Sequence, residues 1–467
     1  MKKFMKIGII ALLAPIIVAC NTSVEDDGAE TVDINSVYEF GTLGIVCNHP
    51  EFDWQVRSER ANSFEEAANQ VQAELLEDLD YLEAMIEDKL AISGPINRRT
   101  GNNAREAVDG VRDMILETDF TVEGFIDIDD LDEAAAEFMH GLLYFIPWQL
   151  EGLGHMAPME EESYVDHFAR VIRHIMDEDE ETSDLAIYAY CQYTHPAVMA
   201  FFGIDSIDLA KEGHGRDDEN NITTEILVPG EVAYIAIANF MNNNELDRDV
   251  LFPFYGEIQD FDHLIIDLRG NLGGYFVNFT ENVMGALIDE PLAISYHEFF
   301  RDVPGTWVGV DMYIDAHYLS SNFGGEPEPV NEFFERHPMP FFNEDDKEDV
   351  DYVIHWDYYV QPMEDGFPFD GKIWLLVDEM SASASELAAI FSTSSGFATV
   401  VGRPTMGVMG AITVTPILPN TGIIFRIDVG YLTDPYGRSL EEFGVSLDHQ
   451  VQGDMDILDY TLDLINE

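Results

Sequence analysis

The sequence predicts an α/β core preceded by a mostly helical N-terminal region. Three observations predict it. Residues 64–91 carry apolar side chains at helical spacing, and further helical tracts run over roughly 131–150, 164–176 and 184–202. Near residue 225 the pattern changes to short apolar runs that read as strands, at 232–238, 264–267, 373–377, 399–401, 412–417 and 423–427. Helical tracts follow two of these runs, at about 276–288 and 384–395. Strands alternating with helices predict a largely buried sheet.

Length and charge narrow the function. A chain of 467 residues predicts two or three domains, and 46% hydrophobic residues supply a sizeable core. Asp and Glu number 90 against 23 Lys and Arg, a formal net charge of -67. Nucleic acid is excluded as a partner, because phosphate binding needs clustered cations. So acidic a surface repels itself at low salt. Adaptation to high ionic strength and acidic drift in a secreted, soluble protein both account for it.

The first 20 residues stand apart from the fold. Lys2, Lys3 and Lys6 precede a short apolar stretch, residues 7–18, too short to be read as a membrane span. The stretch closes on Ile17, Val18, Ala19 and Cys20, which resembles the lipobox of bacterial lipoproteins. That resemblance implies a signal peptide over residues 1–19 and a lipid on Cys20. It implies a protein held at the cell envelope, facing outside the cytoplasm, with the lipid as its membrane contact. An ordinary secretory signal ending in Cys is the plainer alternative. Residues 20–36 read as an acidic tether. The mostly helical region then covers 37–225, and the core covers 226–467 with an insertion at about 300–360. Cys47 and Cys191 have no zinc-type spacing; an oxidising compartment permits a disulfide between them, and two free thiols fit the sequence equally well. The acidic runs 177–181 and 216–221 read as solvated loops, since neither has calcium-loop spacing.

Two segments carry chemistry. In the first, IIDLRGNLGG (265–274), a buried strand breaks into a loop with three glycines, which can turn backbone amides toward a ligand. In the second, KIWLLVDEMSASASELAAIF (372–391), a strand ends and a helix starts near Ala384. Ser383 then sits where free amides and the helix dipole favour negative charge, as an acyl-transfer nucleophile requires. Locally, the same Ser383 and Glu386 also form a capping box.

Taken together, the segments resemble the paired signatures of the S41 serine peptidases, the C-terminal processing and tricorn-type enzymes. Two further matches follow in order: VVGRPTMG (400–407) and the run from Tyr436 to Asp448 containing Glu441 and Gly444. The resemblance covers roughly 226–455. It implies a crotonase- or ClpP-like ββα core, a serine-type endopeptidase acting on peptides or unfolded protein segments, and no metal or cofactor. Carried over by position, the nucleophile falls on Ser383. The oxyanion donors fall on the amide of Ala384 and one from Gly273 or Gly274. The lysine base of the C-terminal processing branch is replaced by Val408, so a Ser-Lys dyad is excluded. The tricorn-like branch uses a His and a Glu instead. Its Glu matches Glu441. Its His best matches His155, in LEGLGH (150–155), with His195 next; His140 reads as a helix-surface or core histidine. The competing class is a non-catalytic, peptide-binding lipoprotein that keeps the S41 fold; a hydrolase of some other acyl substrate is a third reading. No GxSxG, HExxH, P-loop or dinucleotide motif is present.

Overall fold

A computed structural model describes residues 31–33, 63–121, 131–176, 190–203, 206–208, 220–242, 244–301, 328–409 and 413–467. The expectations for the signal, Cys20, Cys47 and the acidic run 177–181 lie outside these residues. Thr31–Asp33, within the stretch read as a tether, pairs antiparallel with Ser206–Asp208.

The core is a six-stranded sheet in the order His449–Gln450, Thr399–Gly402, Lys372–Val377, His263–Asp267, Val232–Ile237, Ile222–Val228. Neighbours are parallel except the last pair, an antiparallel hairpin. Its four inner strands are apolar without a polar face because both faces are covered. Ile265, Trp374, Leu376 and Val401 point to one side, where Ile457 of the C-terminal helix Ile457–Asn466 joins them. Leu264, Ile266, Leu375, Val377 and Val400 point to the other, into the main core. Four of the predicted strands, 232–238, 264–267, 373–377 and 399–401, fall within one residue of members of this sheet; 412–417 and 423–427 belong to another sheet, and Ile222–Val228 and His449–Gln450 were not expected.

The helix Phe64–Lys89 starts where Ser63 accepts a hydrogen bond from the Glu66 amide, with Glu65 and Glu66 in its first turn and Lys89 in its last. Val71, Leu75, Leu79, Leu82 and Ile86 form its buried stripe. They share one core with the sheet residues, so the helical region packs directly on the α/β core. A buried carboxylate reinforces the joint. Asp78 accepts from the amides of Asn420 and Thr421 and from the Thr421 hydroxyl, at 2.6, 2.9 and 2.7 Å. Burial pushes its pKa up to about 6, against the pull of those donors.

Two smaller sheets lie beside the six-stranded one. Leu292–Phe300 pairs along nine residues with Tyr352–Val360, and Tyr431–Thr433 and Glu328–Pro329 flank them. The described part of the expected insertion therefore contributes strands. Ala157–Pro158 pairs with Phe425–Asp428, which also pairs with Thr413–Val414. This three-stranded sheet carries a segment of the helical half into the core, two residues beyond His155. Among the described residues, no helix is long and apolar enough to cross a membrane.

Candidate active site

Three adjacent parallel strands, His263–Asp267, Lys372–Val377 and Thr399–Gly402, end on the same edge of the sheet. The loops leaving their carboxyl ends build the candidate site, as expected for open parallel sheets.

The middle loop presents Ser383 as N-cap of the helix Ala384–Ser395. Its backbone has φ 54 and ψ -121, a left-handed conformation that glycine adopts far more readily than serine. The Ser383 amide donates to the Val408 carbonyl at 2.9 Å and to the Glu386 carboxylate at 3.2 Å, so it points into the protein. Ala384 opens the helix, where an amide has no intrahelical acceptor. Among Ser381, Ser383 and Ser385, the outer two are fully buried, and Ser381 donates to the Leu268 carbonyl.

The first loop packs directly on this turn. A Cβ on Gly273 would lie 2.7 Å from the Ser383 Cβ and 2.9 Å from the Ala384 nitrogen. The Gly273 amide donates to Asn271 Oδ1 at 2.8 Å, so it is engaged within its own loop. Gly274 faces Phe240 in a bridge made by the Gly273 carbonyl and the Tyr275 amide; its own amide takes no part in that bridge. Of the two glycines expected to supply an oxyanion donor, Gly274 is the one whose amide these bonds leave over.

His155 ends the short turn Leu153–His155 with a positive φ of 41. Its Nδ1 is hydrogen-bonded to Asp428 Oδ2. Asp428 is fully buried and also accepts from the Thr413 hydroxyl at 3.1 Å. Burial pushes the Asp428 carboxyl up, but the charges of His155 and Arg426 and the hydrogen bonds from His155 and Thr413 hold it below the usual carboxylate range. The Val408 carbonyl holds Ser383, and the Thr413 hydroxyl reaches the acid that holds His155.

The partner of His155 is thus Asp428 and not Glu441. Glu441 lies buried in the short helix Leu440–Phe443, where the Ser439 hydroxyl donates to it at 3.2 Å. His195 serves elsewhere: it caps the helix Pro196–Phe202, its Nδ1 accepting from the Ala197 amide at 3.2 Å, and burial lowers its pKa to about 4. His140 faces the Met159 carbonyl at 3.2 Å. Val408 is buried, consistent with an apolar residue where a lysine base would stand. Sequence reading missed Asp428. The only available signal was an acid at the end of an apolar run, FRID (425–428). Cys191 is disulfide-bonded, and its partner lies outside the described residues.

The structure thus places a strained serine at a helix start with a glycine loop against it, and separately pairs His155 with the buried Asp428. Residues 231–451, just under half of the chain, match the family model described as Peptidase family S41. The chain carries the S41 peptidase fold, a mixed central sheet with helices, behind a helical N-terminal region. Among solved structures it is similar to mature CPAF complexed with lactacystin, at 12% identity and TM-score 0.46, covering 82% of this chain and 94% of that one. It is similar also to a lipoprotein from Streptococcus agalactiae, at 11% and 0.37, covering 84% and 96%. A third is the photosystem II D1 C-terminal processing protease, at 15% and 0.34, covering 82% and 93%. No curated protein matches.

Proposed function

We propose that this protein is a serine endopeptidase of S41 type, acting on peptides or unfolded protein segments outside the cytoplasm. The observation that carries the reading is the strained Ser383, set at a helix N-terminus against the Gly273 loop. Strain of this kind persists only where the surroundings enforce it, and it clusters at functional sites. A nucleophile on a sharp strand-to-helix turn is a recurrent solution for acyl transfer.

In this mechanism Ser383 Oγ attacks the scissile carbonyl carbon while His155 Nε2 takes its proton. The ionised Asp428 accepts the Nδ1–H of His155, fixing the tautomer and supporting the imidazolium. The amides of Ala384 and Gly274 receive the developing oxyanion. The C–N bond then breaks, the amine leaves with the proton from His155, and water hydrolyses the acyl-enzyme by the same steps. The Ser383 and Gly273 amides have no part in the oxyanion hole, because Val408, Glu386 and Asn271 already occupy them.

The test is labelling with a serine-reactive fluorophosphonate. Wild type should be labelled and S383A should not, with cleavage of unfolded casein lost in parallel. Absence of labelling and of cleavage at several salt concentrations would leave the peptide-binding reading standing.

The lipobox-like Ala19-Cys20 supports a lipid on Cys20, and the disulfide at Cys191 supports export to an oxidising compartment. In a bacterial host, radiolabelled palmitate should enter the wild type and not C20A. Equal incorporation by C20A would rule out the lipid assignment.

A further inference from the structure

Two glutamates lie buried behind Ser383, and the mechanism above uses neither. Glu386 is the third residue of the helix that Ser383 caps. Its carboxylate accepts from the Thr405 hydroxyl at 2.5 Å, the Gly407 amide at 2.7 Å, the Val408 amide at 2.9 Å and the Ser383 amide at 3.2 Å. Four converging donors are the surroundings of an ionised carboxylate. The backbone of Glu441 packs on the same loop: a Cβ on Gly407 would lie 3.0 Å from its main-chain carbonyl oxygen. One of its carboxyl oxygens receives the Ser439 hydroxyl; the other, Oε1, is buried with no hydrogen-bond partner. A buried carboxyl oxygen without a donor favours the protonated acid, whereas a carboxyl held by four donors favours the charge. Burial raises both carboxyls, against the hydrogen bonds each accepts.

We propose that Glu386 is the positioning residue of the nucleophile turn, an ionised carboxylate that fastens the Ser383 amide to the 405–408 loop, and that Glu441 beside it is a neutral carboxylic acid. The positioning role rests on the reading of Ser383 as nucleophile. It explains how a strained serine keeps its geometry. The negative charge draws the Ser383 N–H inward, and the same carboxylate holds the Val408 residue whose carbonyl takes the other share of that N–H. This assignment departs from the expectation that Glu441 works as a carboxylate with His155, whose acid here is Asp428.

Full-length protein is used for the test. E386Q puts an amide NH2 where an oxygen accepted from backbone N–H groups. The rate of fluorophosphonate labelling and kcat should each fall at least about 100-fold, with KM within about two-fold, the split expected when only the reacting geometry is lost. T405V removes one donor and should slow both roughly tenfold; it keeps the test decisive if E386Q does not fold. Wild-type rates in either folded variant overturn the positioning role. If wild type itself is not labelled, the peptidase reading fails and the positioning role with it. The proton is tested without activity, by infrared spectroscopy at neutral pH. A carboxylic-acid carbonyl stretch should be present in wild type and T405V and lost in E441Q. Its persistence in E441Q overturns the neutral Glu441.

Discussion

Replacing Asp428 by Asn is expected to lower kcat about ten-thousand-fold while the protein stays folded. The change is nearly isosteric, and the Thr413 hydroxyl still finds an acceptor. What it alters is the proton on His155. The ionised Asp428 accepts from Nδ1 and so leaves the Nε2 lone pair free to act as base. An amide NH2 at that place would donate to Nδ1 and drive the proton to Nε2, where it blocks the base. The same exchange of acid for amide in a Ser-His-Asp enzyme costs about ten-thousand-fold. Steady-state kinetics on an unfolded-protein substrate checks it, with thermal melting to confirm the fold. Undiminished turnover in D428N would mean that His155 and Asp428 form a structural pair.

Gly273→Ala is expected to abolish labelling of Ser383 and to lower the melting temperature. Gly273 has φ +95, where any side chain is strained, and its new Cβ would meet the Ser383 Cβ at 2.7 Å, the Ala382 carbonyl oxygen at 2.8 Å and the Ala384 nitrogen at 2.9 Å. None of these is a flexible side-chain tip, so the serine turn or the glycine loop must shift. The loop has little freedom to do so. Asn271, fully buried, donates to the Ile237 carbonyl, accepts from the Gly273 amide through its side chain, and accepts from the Ala382 amide through its carbonyl. A displacement of about 1 Å in a catalytic group is enough to cost about 100-fold. Gly270→Ala is the matched control. It too has a positive φ, +76, but nothing lies within 4 Å of its Cβ, so it should lose about 1 kcal/mol of stability and keep its labelling. If both variants label alike, the contact between loop and serine turn has no role in catalysis.

Much of the core was legible because its signals are local. The strand at 373–377 and the helix at 384–395 lie where apolar runs and periodicity put them, since burial on both sheet faces forces an unbroken apolar strand. The long pairing of Leu292–Phe300 with Tyr352–Val360 was not legible, because its partners are about sixty residues apart and its strands mix polar with aromatic residues. Asn244–Ile258 was missed as a helix, with Pro253 inside it and its core side chains few.

The site divides the same way. Composition, the glycine loop, and the serine at the start of a helix follow from residues adjacent in the chain, so the sequence by itself determined a strand-loop-helix scaffold with Ser383 at its turn. It also determined that no lysine base stands at position 408. Which acid faces which base was decided only by the tertiary structure. His155 and Asp428 are 273 positions apart and meet because Ala157–Pro158 adds to the edge of Phe425–Asp428. Glu441 is instead buried in the short helix Leu440–Phe443, where the Ser439 hydroxyl donates to it. The physical reason is range. Secondary structure is set by neighbours a few residues away, whereas the ionisation of a buried acid is set by whatever the fold brings within a few ångströms of it.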